Sequence, residues 1–187
     1  MKNFYMNVII SGFGGQGALI IGDILACAGM LSGYNSSFYP SYGVEMRGGT
    51  ANCMVVITSG EVYSPVMGKV DNLIALNQES VDAFLKRVKE KGAVFINSSL
   101  VRWNGQREDV EVFEIPANSI AEKIGVPKAA NMVVLGAFLG IKNVIPPEKV
   151  ETAMNIYFSG REDIVKANVR AFKEGLEWVS RLKGEGR

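Results

Sequence analysis

Two short stretches carry residues whose types and spacing suit an anionic ligand. In SGFGGQGALI, Gly12, Gly14 and Gly17 satisfy GxGxxG, with Gly15 and Gln16 between them. Glycines there permit positive φ and close approach of a ligand or another backbone, and a helix starting just after would offer free N–H groups and partial positive charge. In SYGVEMRGGTAN, Ser41 to Asn52, the side chains of Tyr42, Glu45 and Arg47 stand among Gly43, Gly48 and Gly49, where no helix or strand pattern requires them. Arg47 is a planar donor for phosphate or carboxylate, Gly48 and Gly49 let a backbone come close, and Glu45 either holds the arginine or meets a partner. The plainer reading of this stretch is a solvated loop with an incidental ion pair.

The glycine turn keeps several readings open. A dinucleotide site needs an acid about 20 residues on, at the end of the next strand, to hold ribose hydroxyls. Asn35 to Tyr39 reads NSSFY, without an acid, and this argues against it. A tight strand-to-helix turn, a different phosphate-bearing ligand and a subunit contact remain. A third polar group follows two apolar runs: Asn77-Gln78 after Leu73 to Leu76, and Asn97-Ser98-Ser99 after Ala93 to Ile96. Amides and hydroxyls at strand ends serve ligand binding or helix capping, not proton transfer.

The chain of 187 residues contains no histidine, which removes the usual general base and the commonest transition-metal ligand. Cys27 and Cys53 are far apart in apolar segments, which predicts two buried free thiols and neither a zinc site nor an iron–sulfur cluster. No catalytic residue and no metal site is expected. With 20 Lys+Arg against 19 Asp+Glu, the net charge of +1 leaves no footprint for nucleic acid or an acidic membrane. No apolar run approaches the ~20 residues of a membrane span, so a cytoplasmic protein without a removed signal is expected.

Several elements must position these groups. Met6 to Ile10 reads as a buried strand and Ala18 to Leu31 as a buried helix stopped by Gly33. A second strand falls near Ser36 to Tyr39, and Pro40 opens a long loop through Gly49. Ala51 to Thr58 reads as a strand that Ser59-Gly60 turns into an antiparallel partner at Glu61 to Ser64. After the strand Leu73 to Leu76, the spacing of Val81, Phe84, Leu85 and Val88 predicts a helix ended by Gly92. Strands at Ala93 to Ile96 and Val110 to Phe113 follow, then a short helix whose Ser119 and Glu122 match a capping box, then an apolar helix from about Lys128 to Leu139. From Arg161 to Lys183 a one-sided apolar stripe predicts a helix packed on the sheet. The fold class is α/β: a three-layer α/β/α domain over residues 1–183 with a mixed, mainly parallel sheet and a disordered tail at 184–187.

GFGGQG, PSYGVEMRGGTAN, ALNQES and INSSL follow one another in the order and spacing of the gamma subunit of 2-oxoacid:ferredoxin oxidoreductases, and the chain resembles that family over about residues 6 to 180. It is most similar to the 2-oxoglutarate or 2-oxoisovalerate type, and corresponds to the third domain of the single-chain pyruvate enzyme. Val44 departs from the pattern, which has proline there. The resemblance implies an enzyme that oxidatively decarboxylates a 2-oxoacid, transfers the acyl group to coenzyme A and passes two electrons through iron–sulfur clusters to ferredoxin. It implies that alpha, beta and in some complexes delta subunits hold thiamine diphosphate, magnesium and the clusters, while this chain offers at most a surface for coenzyme A. The motif positions carried over are Gly12, Gly14, Gly15, Gln16 and Gly17, and Ser41, Tyr42, Gly43, Glu45, Met46, Arg47, Gly48 and Gly49. Two other readings stand beside this one: the equivalent subunit of indolepyruvate:ferredoxin oxidoreductase, and a free-standing nucleotide-binding regulatory protein.

Overall fold

The computed structural model describes residues 4–41 and 50–185. The motif residues from Tyr42 to Gly49 therefore lie outside the described residues, as does the end of the chain from 186. Among the described residues six strands, β1 (Tyr5–Phe13), β2 (Asn35–Ser41), β3 (Thr50–Thr58), β4 (Val70–Ala75), β5 (Val88–Asn97) and β6 (Glu111–Ile115), form one sheet in the order β2-β3-β1-β4-β5-β6. β3 runs antiparallel to both β1 and β2, while β1, β4, β5 and β6 are mutually parallel. The helices are α1 (Ala18–Leu31), α2 (Gln78–Phe84), α3 (Ala117–Lys123), α4 (Ala130–Lys142), α5 (Pro147–Tyr157) and α6 (Glu162–Glu185).

Strand alternation divides the core. Val8, Ile10, Cys53, Val55, Ile57, Ile74 and Phe95 face one side and pack with α1, α3 and α4. Ile9, Met54, Leu73, Ala75, Val94 and Ile96 face the other, where the seven-residue α2 and Val101 complete a thinner layer. α1 begins and ends where the sequence places it, because an almost wholly apolar segment has no stable place except between a sheet and other helices.

Several expected elements take another form. No strand forms at Glu61 to Ser64; the antiparallel partners of β3 are β1 and β2, so the crossover is made by α1 and not by a hairpin. The helix expected to end at Gly92 stops at Phe84, passes through a 3₁₀ turn at Leu85–Arg87 and gives way to β5 at Val88. Val88 is buried as a strand residue, and the hydrogen-bonding and hydrophobic gain of a parallel strand outweighs helix periodicity there. Pro40 does not open a loop: it sits in β2 opposite Cys53, tolerated because β2 is an edge strand. Ser119 lies inside α3, whose N-cap is Pro116, so the capping box does not form. Cys53 is buried but Cys27 is only partly so.

α6 packs chiefly on α4 and not on the sheet. The crossing is tight: a Cβ on Gly136 would strike the Phe172 carbonyl oxygen and lie 3.0 Å from Gly175 Cα, and a Cβ on Gly175 would strike the Val133 carbonyl. Two glycines meet there so that backbones can touch.

Candidate functional site

The glycine turn is shaped by its own side chain at Gln16 and by two left-handed glycines. Gln16 N–H donates to the Phe13 carbonyl at 3.0 Å, and Gly15 and Gly17 have φ of +94° and +79°. Gly17 is the N-cap of α1; it supplies no side-chain cap, and the first turn of α1 holds no acid, so the partial positive charge of the helix end is not offset locally. Asn131, at the start of α4, lies directly against Gly17, with Nδ2 3.4 Å from its carbonyl oxygen, and a Cβ on Gly17 would collide with that amide. The third glycine of the motif is thus required both by its φ and by a packed neighbour.

An uncharged network ties this turn to the ends of β1, β4 and β5. Gln16 Oε1 accepts from Phe13 N–H at 2.7 Å and from Asn77 Nδ2 at 2.9 Å. Asn77 caps α2, its Oδ1 accepting from Ser80 N–H at 2.8 Å and from the Ser80 hydroxyl at 2.7 Å; the Ser80 and Ser11 hydroxyls are 2.9 Å apart. Asn97, at the end of β5, donates from Nδ2 to Asn118 Oδ1 at 2.7 Å and accepts from Ser99 N–H at 3.3 Å. Gln78 turns away to accept from Arg102 N–H, so the Asn77-Gln78 pair is split between two roles.

Two clefts adjoin this turn. An outer one of about 510 Å3 lies between the turn, residues 125–129 and the first turns of α6; its apolar surface comes from Ile20, Val126, Phe158, Ile164 and Ala167. An inner one of about 190 Å3 reaches the strand ends at Leu76 and Asn97. Gly15, Gln16, Pro127, Lys128 and Asn131 line both. Carboxyl ends of parallel strands are where open α/β sheets gather ligands.

This arrangement can bind and orient; its groups do not suit covalent or acid–base chemistry. Cys53 lies under the start of α1, its Sγ 3.6 Å from the Ala18 carbonyl, and burial pushes its thiol up to about 12, far from a thiolate. Among the described residues no group of three or more His, Cys, Asp or Glu is disposed to hold a metal ion. No helix among them is long and apolar enough to cross a membrane.

Of the motif residues, Gly12 to Gly17 come together as one turn. Ser41 is not beside them, but it shares their rim: Ser41 pairs with Asn52, Asn52 with Ser11, and Thr50 with Phe13. Tyr42, Gly43, Glu45, Met46, Arg47, Gly48 and Gly49 join these two rim positions and lie outside the described residues. Sequence reasoning missed Asn118, Lys128, Asn131 and Asn168. Asn131 had a signal, being the one polar side chain in the otherwise apolar helix run from Ala130 to Ile141.

Residues 7–178 match the family model described as pyruvate ferredoxin/flavodoxin oxidoreductase. The chain belongs to this family. It is 38% identical over 182 residues to ketoisovalerate oxidoreductase subunit VorA of Methanothermobacter thermautotrophicus, a match covering 96% of this chain. It spans only 38% of the length of that relative. It is 36% identical to 2-oxoglutarate synthase subunit KorC of Methanocaldococcus jannaschii, across 92% of this chain and 93% of that one. The fold matches the crystal structure of a keto/oxoacid ferredoxin oxidoreductase gamma subunit from Geobacter sulfurreducens with TM-score 0.82 and 29% identity, covering 95% of this chain and 98% of the other.

Proposed function

We propose that the chain is the gamma-type subunit of a thiamine-diphosphate-dependent 2-oxoacid:ferredoxin oxidoreductase, acting in the cytoplasm with companion subunits that hold the thiamine and the iron–sulfur clusters. The assembled enzyme would convert a 2-oxoacid, of the 2-oxoglutarate or branched-chain kind named in its relatives, to acyl-CoA with reduction of ferredoxin. This chain's share is a surface: residues 1–183 act as one domain that presents its glycine turn and the Tyr42 to Gly49 segment to coenzyme A phosphates or to a companion subunit.

One observation carries the reading. Strand register sends the second motif out from Ser41 and back at Thr50, on the same rim as the glycine turn, with Thr50 opposite Phe13. Two strand spacings, about 10 Å, separate β2 from β1. A ligand bearing several phosphates is long enough to meet both the uncapped α1 N-terminus and a guanidinium at Arg47. The helix end would supply N–H donors, Arg47 a bidentate donor, and coenzyme A the thiol that takes the acyl group. The neutral amides around Gln16 fit a polyanion, since they fix the turn without adding negative charge.

Arg47→Ala in the assembled enzyme tests this. Loss of a charge-assisted bond raises the Kd for coenzyme A about tenfold or more, with subunit composition unchanged. Unchanged affinity together with unchanged assembly would remove the proposed role.

A further inference from the structure

α1 keeps an apolar side that the described residues leave partly open. Leu19, Ile20, Cys27 and Leu31 are half-buried, Asp23 is exposed and Met30 is 59% exposed. At 3.6 residues per turn these six share about 120° of the helix surface. A surface helix turns charged and polar side chains outward, yet five of the six are apolar, and Asp23 is the one charge on the whole helix. Ile20, Asp23, Cys27 and Met30 step by three, four and three, the seam spacing along which a second helix lies. The Asp23 carboxyl is pushed up by burial, with no cation or hydrogen-bond donor among the described residues to hold it down. An apolar cover would strip its remaining water, so whatever seats here must bring a cation. A second copy laid stripe to stripe would bring another acid and no cation.

We infer that the outward stripe of α1 docks an apolar helix of a companion chain, which sets one lysine or arginine against Asp23. Two observations favour a companion. Ile20 also borders the outer cleft, so the stripe begins beside the rim already proposed to meet other subunits. In the ketoisovalerate relative the matched region is only 38% of a longer chain, so there a further segment is tied to this domain. The inference rests on the multisubunit reading and names the surface that this reading would use.

Cys27, in the middle of the stripe, reports on the contact, and buried Cys53 reports on the fold. Alkylation of each thiol by N-ethylmaleimide under alkaline conditions is followed by mass spectrometry, on the full chain alone and on the assembled enzyme. Assembly slows labelling of Cys27 at least tenfold while Cys53 stays unreactive in both. Asp23→Lys sets two cations against each other and raises the Kd for the companion chain about tenfold or more. Met30→Arg does the same through the apolar part of the seam, so the outcome does not depend on one variant. In both, assembly no longer protects Cys27; each variant is compared with itself as a free chain, which cancels any change in the thiol's own reactivity. The inference is overturned if Cys27 labels equally fast in the free and assembled protein, if the free chain protects it by self-association, or if both variants bind the companion unchanged. A chain that purifies with no companion at all defeats the multisubunit reading itself; companions present with Cys27 unprotected defeat only this surface.

Discussion

At the carboxyl rim of the sheet, Gln16 with Asn77, Ser80 with Ser11 and Asn97 with Asn118 join elements through uncharged hydrogen bonds. At the amino rim the same task falls to ions: Asp71 takes Lys89 at 2.7 Å and Asn7 at 2.5 Å, and Arg107 pairs with Asp109 beside the start of β5. The rims are roughly 16 Å apart along β4, about twice the Debye length at physiological salt, so the charges of one barely reach the other. The contrast separates two needs. Ion pairs pin the strand starts at one rim, whereas the other holds its shape with groups that add no field of their own, which suits the anion proposed for it above.

Three changes should strain this contrast, in decreasing size. Gly17→Ala forces a side chain into a left-handed position and against Asn131, and should cost about 3 kcal/mol in urea unfolding. A cost under about 1 kcal/mol would mean that the turn is not fixed by α4. Asn77→Leu removes the cap of α2 and the donor to Gln16, and should cost about 2 kcal/mol by the same measurement. A neutral result would show that the amide network is ornamental to stability. At the other rim the sign reverses. Lys142 lies over the Phe95 ring, and burial holds its ammonium below the ordinary lysine value of 10.5, with Glu111 and Asp71 offsetting part of this. The unfolded chain then binds more protons than the folded one as pH approaches 10.5, so the native protein gains stability on that climb. Lys142→Met should therefore be more stable than the unaltered protein near neutral pH, by an amount that shrinks as pH rises towards 10.5; a pH-independent difference would overturn the assignment.

Sequence patterns made the glycine turn and α1 legible because they are local: a run of glycines between an apolar strand and an apolar helix leaves one arrangement. β5 was misread at its start because Val88 fits helical spacing after Val81 and Leu85, and only pairing with Val70 decides for strand. α5 was not anticipated; its buried face is just Val150, Ala153 and Met154, and its first turn starts from Pro147. The site followed the same rule. Gly17 could be read from the motif, but its neighbour Asn131 is 114 residues away and enters through tertiary packing alone. Asn168 fell on the apolar stripe of α6 three residues after Val165, a polar break in a hydrophobic seam that one sequence does not distinguish from a satisfied core amide.

The crossing of Gly136 with Gly175 acts at a distance from its own location. Asp163, Ile164, Ala167 and Asn168, which wall the outer cleft, belong to the helix that this crossing seats. Any side chain at Gly175 would lever α6 off α4 and shift that wall, with no lining residue altered. The two glycines are thus a fulcrum: cleft width is set two turns away, and variation at either position would retune what the cleft admits while its chemistry stays the same.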